Sequence, residues 1–195
     1  STDTEVRRAG IASLKVDVPD GDSYAGGAFF TAARRELTVY DALTFWARAS
    51  KTSVINEVGF GINSDWTTPY FVQWFNVPVG TEWKKYIVPI PDPSRLVREG
   101  GLFYYSVTPQ PEGGSGHELW FDDIKFEKVE PGTITNPRPV MDDKSVTGFI
   151  GVEVPVSGTR TTYSVNGSDQ VILHTENYLT FISSDSEVAM VNGGE

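Results

Sequence analysis

An all-β fold built from two packed layers of short strands is what this 195-residue sequence predicts. Three observations carry that expectation. Short apolar or alternating runs recur along the chain, 19 glycines and 12 prolines punctuate them as turn signals, and helical periodicity is nearly absent. Only Asp92–Gly100 resembles a helix start, with Ser94 placed to cap a single turn.

The strands follow in order. Ala12–Val18 alternates around Leu14, Val16 and Val18, and Gly27–Ala32 carries Phe29 and Phe30. In Ala42–Ala49, Leu43, Phe45 and Ala47 form an apolar face, leaving Thr44, Trp46 and Arg48 on the other. Ile55–Asn63 comes next. In Tyr70–Val77 the set Tyr70, Val72, Trp74 and Asn76 opposes Phe71, Gln73, Phe75 and Val77. Lys84–Ile90 and Leu102–Thr108 precede the closing strand His117–Val129. There, strict alternation puts Trp120, Asp122, Ile124 and Phe126 on one side and Phe121, Asp123 and Lys125 on the other. One of two adjacent carboxylates then borders an apolar face. A buried carboxylate needs a partner, so Asp122 or Asp123 is anchored by a cation or held by loop amides. Short strands with Gly, Pro, Asp and Asn turns between them match a two-sheet sandwich or jelly roll.

After Val129 the composition shifts. The Pro-rich stretch at 131–141 reads as a linker between a first domain at 1–130 and a smaller β unit at 142–195. A net charge of −10 disfavours nucleic acid and anionic membranes as partners, and no apolar run is long enough to insert in a bilayer. Zero cysteines removes disulfides, thiolate catalysis and cysteine-ligated zinc. The two histidines, His117 and His174, have no paired ligand spacing. Glycoside hydrolysis needs two carboxylates across a cleft, and adjacent Asp122 and Asp123 on opposite sides of a strand cannot supply them. No catalytic residue is expected.

The order of several tracts resembles carbohydrate-binding modules of the galactose-binding-like jelly-roll type. They are Ile11–Val18, Ser23–Phe30, Tyr40–Ser50, Thr81–Pro93, Gly101–Ser106 and Leu119–Val129. The resemblance implies a non-catalytic glycan-binding module attached to a polysaccharide-degrading enzyme, with a structural calcium on Asp122 and Asp123. The second unit resembles bacterial immunoglobulin-like domains of the invasin and intimin type. The tracts are Val152–Val156, Tyr163–Val171 with an Asn166–Gly167 turn, Leu179–Phe181, and Ser183–Gly193. That family continues past the point where this chain stops at Glu195, so the unit is expected to be incomplete, shortened or completed by another chain.

Sugar recognition needs flat apolar rings and planar polar groups. Trp46, Arg48, Gln73 or Trp74, and Tyr104 are candidates for such a face, the alternative being a solvated face on which Arg48 pairs with Glu57 or Asp65. Trp66 joins them because Asn63–Pro69 is a polar loop that presents an indole more easily than it buries one, and Tyr70 is a further aromatic candidate. Trp83 and Trp120 read as packing. The expected partner is a neutral β-glucan or mannan, since no cationic patch awaits uronates or sulfates, and the expected location is extracellular or on a bacterial cell surface. The competing reading is a structural or adhesion spacer without glycan binding.

Overall fold

The computed structural model describes residues 1–109, 114–149 and 151–191. Its strands are β1 (Thr2–Asp3), β2 (Ser13–Val18), β3 (Ala25–Arg35), β4 (Ala42–Ala49), β5 (Ser53–Phe60) and β6 (Val72–Val79). They continue with β7 (Lys84–Pro89), β8 (Glu99–Val107), β9 (His117–Glu127), β10 (Ile134–Val140), β11 (Arg160–Val165) and β12 (Ser168–His174). A smaller sheet has the order β1-β2-β9-β4-β7 and a larger one β10-β11-β12-β6-β5-β8-β3. Both are antiparallel throughout. The all-β expectation holds, and each strand read from the sequence up to residue 129 forms within a few residues of its expected place. No helix is long and apolar enough to cross a membrane among the described residues.

The two sheets meet through a core of interlocked rings. Phe45 of β4 stacks on Tyr86 of β7 at 5.2 Å and meets Phe121 of β9 edge-on at 5.6 Å. Phe103 of β8 reaches across to Phe121 at 5.3 Å, and Phe60 of β5 to Phe126 of β9, also at 5.3 Å. Each offset or edge-on pair adds about 0.5–1.5 kcal/mol beyond the area it buries. As alternation requires, Leu43, Phe45 and Ala47 are fully buried while Trp46 and Arg48 stay half-exposed.

In β9 the alternation breaks. The register to β4 shifts between Thr44↔Lys125 and Trp46↔Asp122, and Asp123 takes φ 48°. This β-bulge inserts one residue and exchanges the faces. Leu119 and Phe121 point inward before it, Ile124 and Phe126 after it, with Trp120, Asp122, Lys125 and Glu127 outside. The single-parity assignment of Trp120, Asp122, Ile124 and Phe126 to one face is therefore corrected. The short turn near residue 94 also differs in detail. Pro93–Arg95 form one 3-10 turn capped by Asp92, whose Oδ1 accepts from Ser94 N at 3.1 Å.

The chain after residue 130 takes a different form from a linker and a separate immunoglobulin-like sandwich. Ile134–Val140 is an edge strand, β10, whose Pro137 and Pro139 are tolerated because only β11 pairs with it. The Asn166–Gly167 turn forms as expected, with φ 51° and 80°, and closes the β11–β12 hairpin. That hairpin then extends the larger sheet through Leu173↔Gln73 and His174↔Val72. Tyr163, Val165, Ile172 and Tyr178 join the common core, and Gln170 Nε2 donates to the Ile87 carbonyl at 2.9 Å, satisfying a group on the open edge of β7. A two-stranded hairpin is marginal alone, so pairing with β6 supplies what an isolated unit would lack. Val152–Val156 and Leu179–Phe181 are not strands, nor is the described part of Ser183–Gly193; Asn192 and Gly193 lie outside the described residues.

Two carboxylates give stability opposite dependences on pH. Glu99, buried at the start of β8, accepts from Gly100 N and Gly101 N, both at 2.7 Å. Burial nevertheless outweighs these bonds and pushes its pKa above the ordinary 4.5. An acid raised by folding contributes stability below its unfolded pKa and loses it as pH rises through the folded value. Glu127 is also pushed up by burial, but Lys85, Lys125 and Thr44 more than reverse this and hold it at about 2. Its contribution is present above the ordinary value of 4.5 and lost as pH falls toward 2. Glu99→Gln keeps an oxygen for both glycine amides. Urea unfolding from pH 4 to 8 should show the variant gaining on the parent as pH rises, with no gain at pH 4.

Candidate functional site

Two cross-strand rows line the outer face of the larger sheet. One runs Leu173–Gln73–Gly59–Tyr104–Ala28 from β12 to β3, and the next runs Phe75–Glu57–Ser106–Gly26 from β6 to β3. Opposed residues in an antiparallel sheet share a face, so these side chains project together. Gly59, Ala28, Ser106 and Gly26 make a shallow floor. Above it, Glu57 Oε1 accepts from Tyr104 Oη at 2.8 Å and from Gln73 Nε2. Burial, reinforced by the Glu57 carboxylate, pushes the Tyr104 phenol far above its ordinary pKa, which keeps it a donor.

Aromatic rings border this floor. Phe71 lies over Tyr104 at 4.9 Å, so Tyr104 is buried and acts through Glu57 instead of presenting its ring. Phe75 is exposed at the β6 end. Tyr24 is exposed at the β3 end, its ring lying 3.4 Å from where a Cβ on Gly26 would stand. With strands about 4.8 Å apart, β3 and β6 are separated by about 14 Å. Rings at both ends of a polar trough of that length are suited to holding a ligand a few rings long by stacking and hydrogen bonds.

Trp66 stands at the loop end of the same sheet, 75% exposed and with φ 63°. A bulky residue in the left-handed region is an outlier that the surroundings must enforce. Asn63 O accepts from Trp66 N at 3.0 Å, Asp65 Oδ1 accepts from the Thr67 hydroxyl at 2.6 Å, and Arg34 fixes Asn63 Oδ1 at 2.6 Å. The loop thus holds the indole out in solvent. Of the other expected residues, Trp74 packs inward, 6.2 Å from Tyr86, and Tyr70 rests against Tyr178 at 5.5 Å.

Trp46 and Arg48 lie on the opposite side of the sandwich, on the smaller sheet, so Arg48 cannot pair with Glu57 or join Gln73 and Tyr104. The N-terminal segment covers that side. The Arg8 guanidinium sits 3.8 Å over the Trp46 ring, Arg48 is 5.7 Å from Trp120, and Trp120 Nε1 donates to Asp3 at 2.9 Å. Asp122 Oδ2 accepts from Arg8 N at 2.8 Å and Ala9 N at 3.2 Å, and its Oδ1 accepts from Asp123 N at 2.7 Å. Asp123 pairs with Arg8 Nη1 at 2.8 Å. Loop amides, the second of the two alternatives, thus hold the carboxylate. A calcium ion wants six to eight oxygens; N–H donors and a guanidinium around these two residues do not fit one. Among the described residues no three His, Asp or Glu side chains gather as a metal site.

The fold is a two-sheet antiparallel β-sandwich, and solved structures resemble it. A family 30 carbohydrate-binding module superposes with TM-score 0.50 at 16% identity, over 76% of this chain and 78% of that one. The family 30 module of the cellulosomal cellulase Cel9D-Cel44B of Clostridium thermocellum gives TM-score 0.47 at 16% identity, over 66% and 81%. The N-terminal cellulose-binding domain of Cellulomonas fimi β-1,4-glucanase C gives 0.40 at 17%, over 66% and 83%. No protein-family model and no curated protein matches the sequence.

Of the residues expected from sequence, the structure thus gathers Gln73 and Tyr104 on one face and leaves Trp66 at its end. It adds Tyr24, Glu57, Phe71 and Phe75. Phe71 and Phe75 stood in the sequence on the same alternating face as Gln73. Tyr24 had a weaker signal, an aromatic just before the paired glycines Gly26–Gly27.

Proposed function

We propose that the chain binds polysaccharide without cleaving it, along the trough on the outer face of the larger sheet. The observation that carries this is the row from Tyr24 to Phe75, two exposed rings at the ends of a floor holding the Glu57–Gln73–Tyr104 network. Rings stack on the C–H faces of pyranose units, while the carboxylate and amide take hydroxyl hydrogen bonds. A carboxylate in the floor repels uronates and sulfates and suits a neutral β-glucan or mannan. Binding of this kind would concentrate an attached polysaccharide-degrading enzyme on its substrate outside the cell. The fold of the superposed module supports this reading.

Affinity electrophoresis against soluble β-glucan, glucomannan and xyloglucan tests it. Retardation by at least one glycan is expected, and Tyr24→Ala and Phe75→Ala should each weaken it about 5- to 10-fold, the worth of one stacked ring. Tyr104→Phe, which frees Glu57, should weaken it less. No retardation by any of the glycans overturns the proposal and leaves a structural spacer.

A further inference from the structure

The β11–β12 hairpin does more than cover the edge of β7. It carries the sheet on beyond β6, and with the segments flanking it borders a depression of about 250 Å³ lined by Phe71, Gln73, Ser157, Leu173, Thr175 and Glu176. We propose that this depression is an additional subsite, contributed by the hairpin, for one further neutral sugar unit of a chain lying in the trough. The inference rests on the glycan-binding reading above and extends it to residues beyond Phe75.

Continuity with the trough is the first argument. Leu173 opposes Gln73 directly, so the row that holds Gly59 and Tyr104 runs on into the depression without a break. Gln73 donates to Glu57 on one side and lines the depression on the other. Chemistry is the second. Phe71 and Leu173 bring apolar side chains to its lining, and Ser157 and Glu176 bring a hydroxyl and a carboxylate of the kind that sugar hydroxyls bond. The volume lies just below the roughly 300–1,000 Å³ of whole ligand sites, a scale that suits one added ring.

The rim is also held in place. Arg160 Nη1 donates to Asp142 Oδ1 and to the Gly158 carbonyl, both at 2.7 Å, and Ser157 O accepts from Asp142 N at 3.3 Å. On the other flank Thr175 N donates to Phe71 O at 3.1 Å, and Tyr178 Oη donates to Tyr70 O at 3.0 Å. Arg160, the cation opposite Leu173, is engaged with Asp142, and Glu176 brings negative charge. Both features favour a neutral ring over an acidic one.

Titration calorimetry with neutral β-1,4-linked gluco- and manno-oligosaccharides from trimer to hexamer decides the matter. Leu173→Trp fills the depression, and the double variant Ser157→Ala with Glu176→Ala strips its rim. The parent should gain affinity with each added unit until the depression is occupied. Both variants should lose about 5- to 10-fold on the longest oligosaccharide and bind the shortest as the parent does. Unchanged affinity for the longest oligosaccharide overturns the subsite, and so does an equal loss at every length. If the parent binds none of the series, the underlying glycan reading falls and takes the subsite with it.

Discussion

Gly59→Ala is expected to cost about 3 kcal/mol or more, the upper range for forcing extra volume into a packed site. A Cβ at position 59 would lie 1.8 Å from the Val72 carbonyl oxygen, 2.9 Å from the Val72 carbonyl carbon and 3.0 Å from Tyr104 Cε1. The first two neighbours are backbone of β6, so no rotamer change relieves the clash. Relief requires β5 and β6 to part where Gly59 opposes Gln73, in the middle of the larger sheet. The same movement would displace Gln73 and Tyr104 from Glu57, so any protein that remains folded should also lose glycan affinity. Gly80→Ala is the control, because nothing stands within 4 Å of a Cβ there and its stability should change by no more than about 0.5 kcal/mol. Urea unfolding followed by tryptophan fluorescence reads both. A Gly59→Ala loss under about 1 kcal/mol would mean that the strands do not approach this closely.

The regular strands were legible because one face of each had to be buried. In β4 the alternation of Leu43, Phe45 and Ala47 with Thr44, Trp46 and Arg48 predicts the observed faces. Legibility failed where a residue takes positive φ inside a strand. At Asp123 in β9 the inward set changes from Leu119 and Phe121 to Ile124 and Phe126, and near Asn76 in β6 it changes from Val72 and Trp74 to Val77 and Val79. Asp and Asn are the residues that tolerate that conformation. The odd spacing from Phe121 to Ile124 was therefore a readable signal of the bulge.

Placement of the hairpin was less accessible. Asn166–Gly167 announces the turn, whereas docking depends on Gln170 reaching the Ile87 carbonyl 83 residues away. For the site, alternation identified Gln73 and grouped it with Phe71 and Phe75. It could not say which outer face a strand belongs to, and so it merged Trp46 and Arg48 of one sheet with Gln73 and Tyr104 of the other. The prolines of β10 misled for a related reason. A proline-rich stretch reads alike as linker or as edge strand until its neighbour is known.

Asp122→Ala should destabilise the fold by about 3 kcal/mol, because a buried charged acceptor is removed and the amides it serves lose their partner. Those amides belong to Arg8, Ala9 and Asp123, so the loss falls on the junction between the N-terminal segment and β9. Arg8 is released at the same time, since its guanidinium lies between Asp123 and the Trp46 ring. Tryptophan emission should therefore shift to the red in the folded variant as Trp46 gains solvent. Glycan binding on the larger sheet should persist, because the affected groups lie on the opposite layer. The same experiment separates amide anchoring from a structural cation. With amides as the anchor, added calcium or EDTA leaves the thermal midpoint of the parent unchanged. With a cation, EDTA lowers the parent midpoint toward that of Asp122→Ala and calcium restores it, since a ligand bound only by the native state stabilises it by mass action. A calcium-dependent midpoint in the parent would overturn the amide account, while a calcium-independent one that Asp122→Ala still lowers would establish that backbone N–H groups anchor the carboxylate.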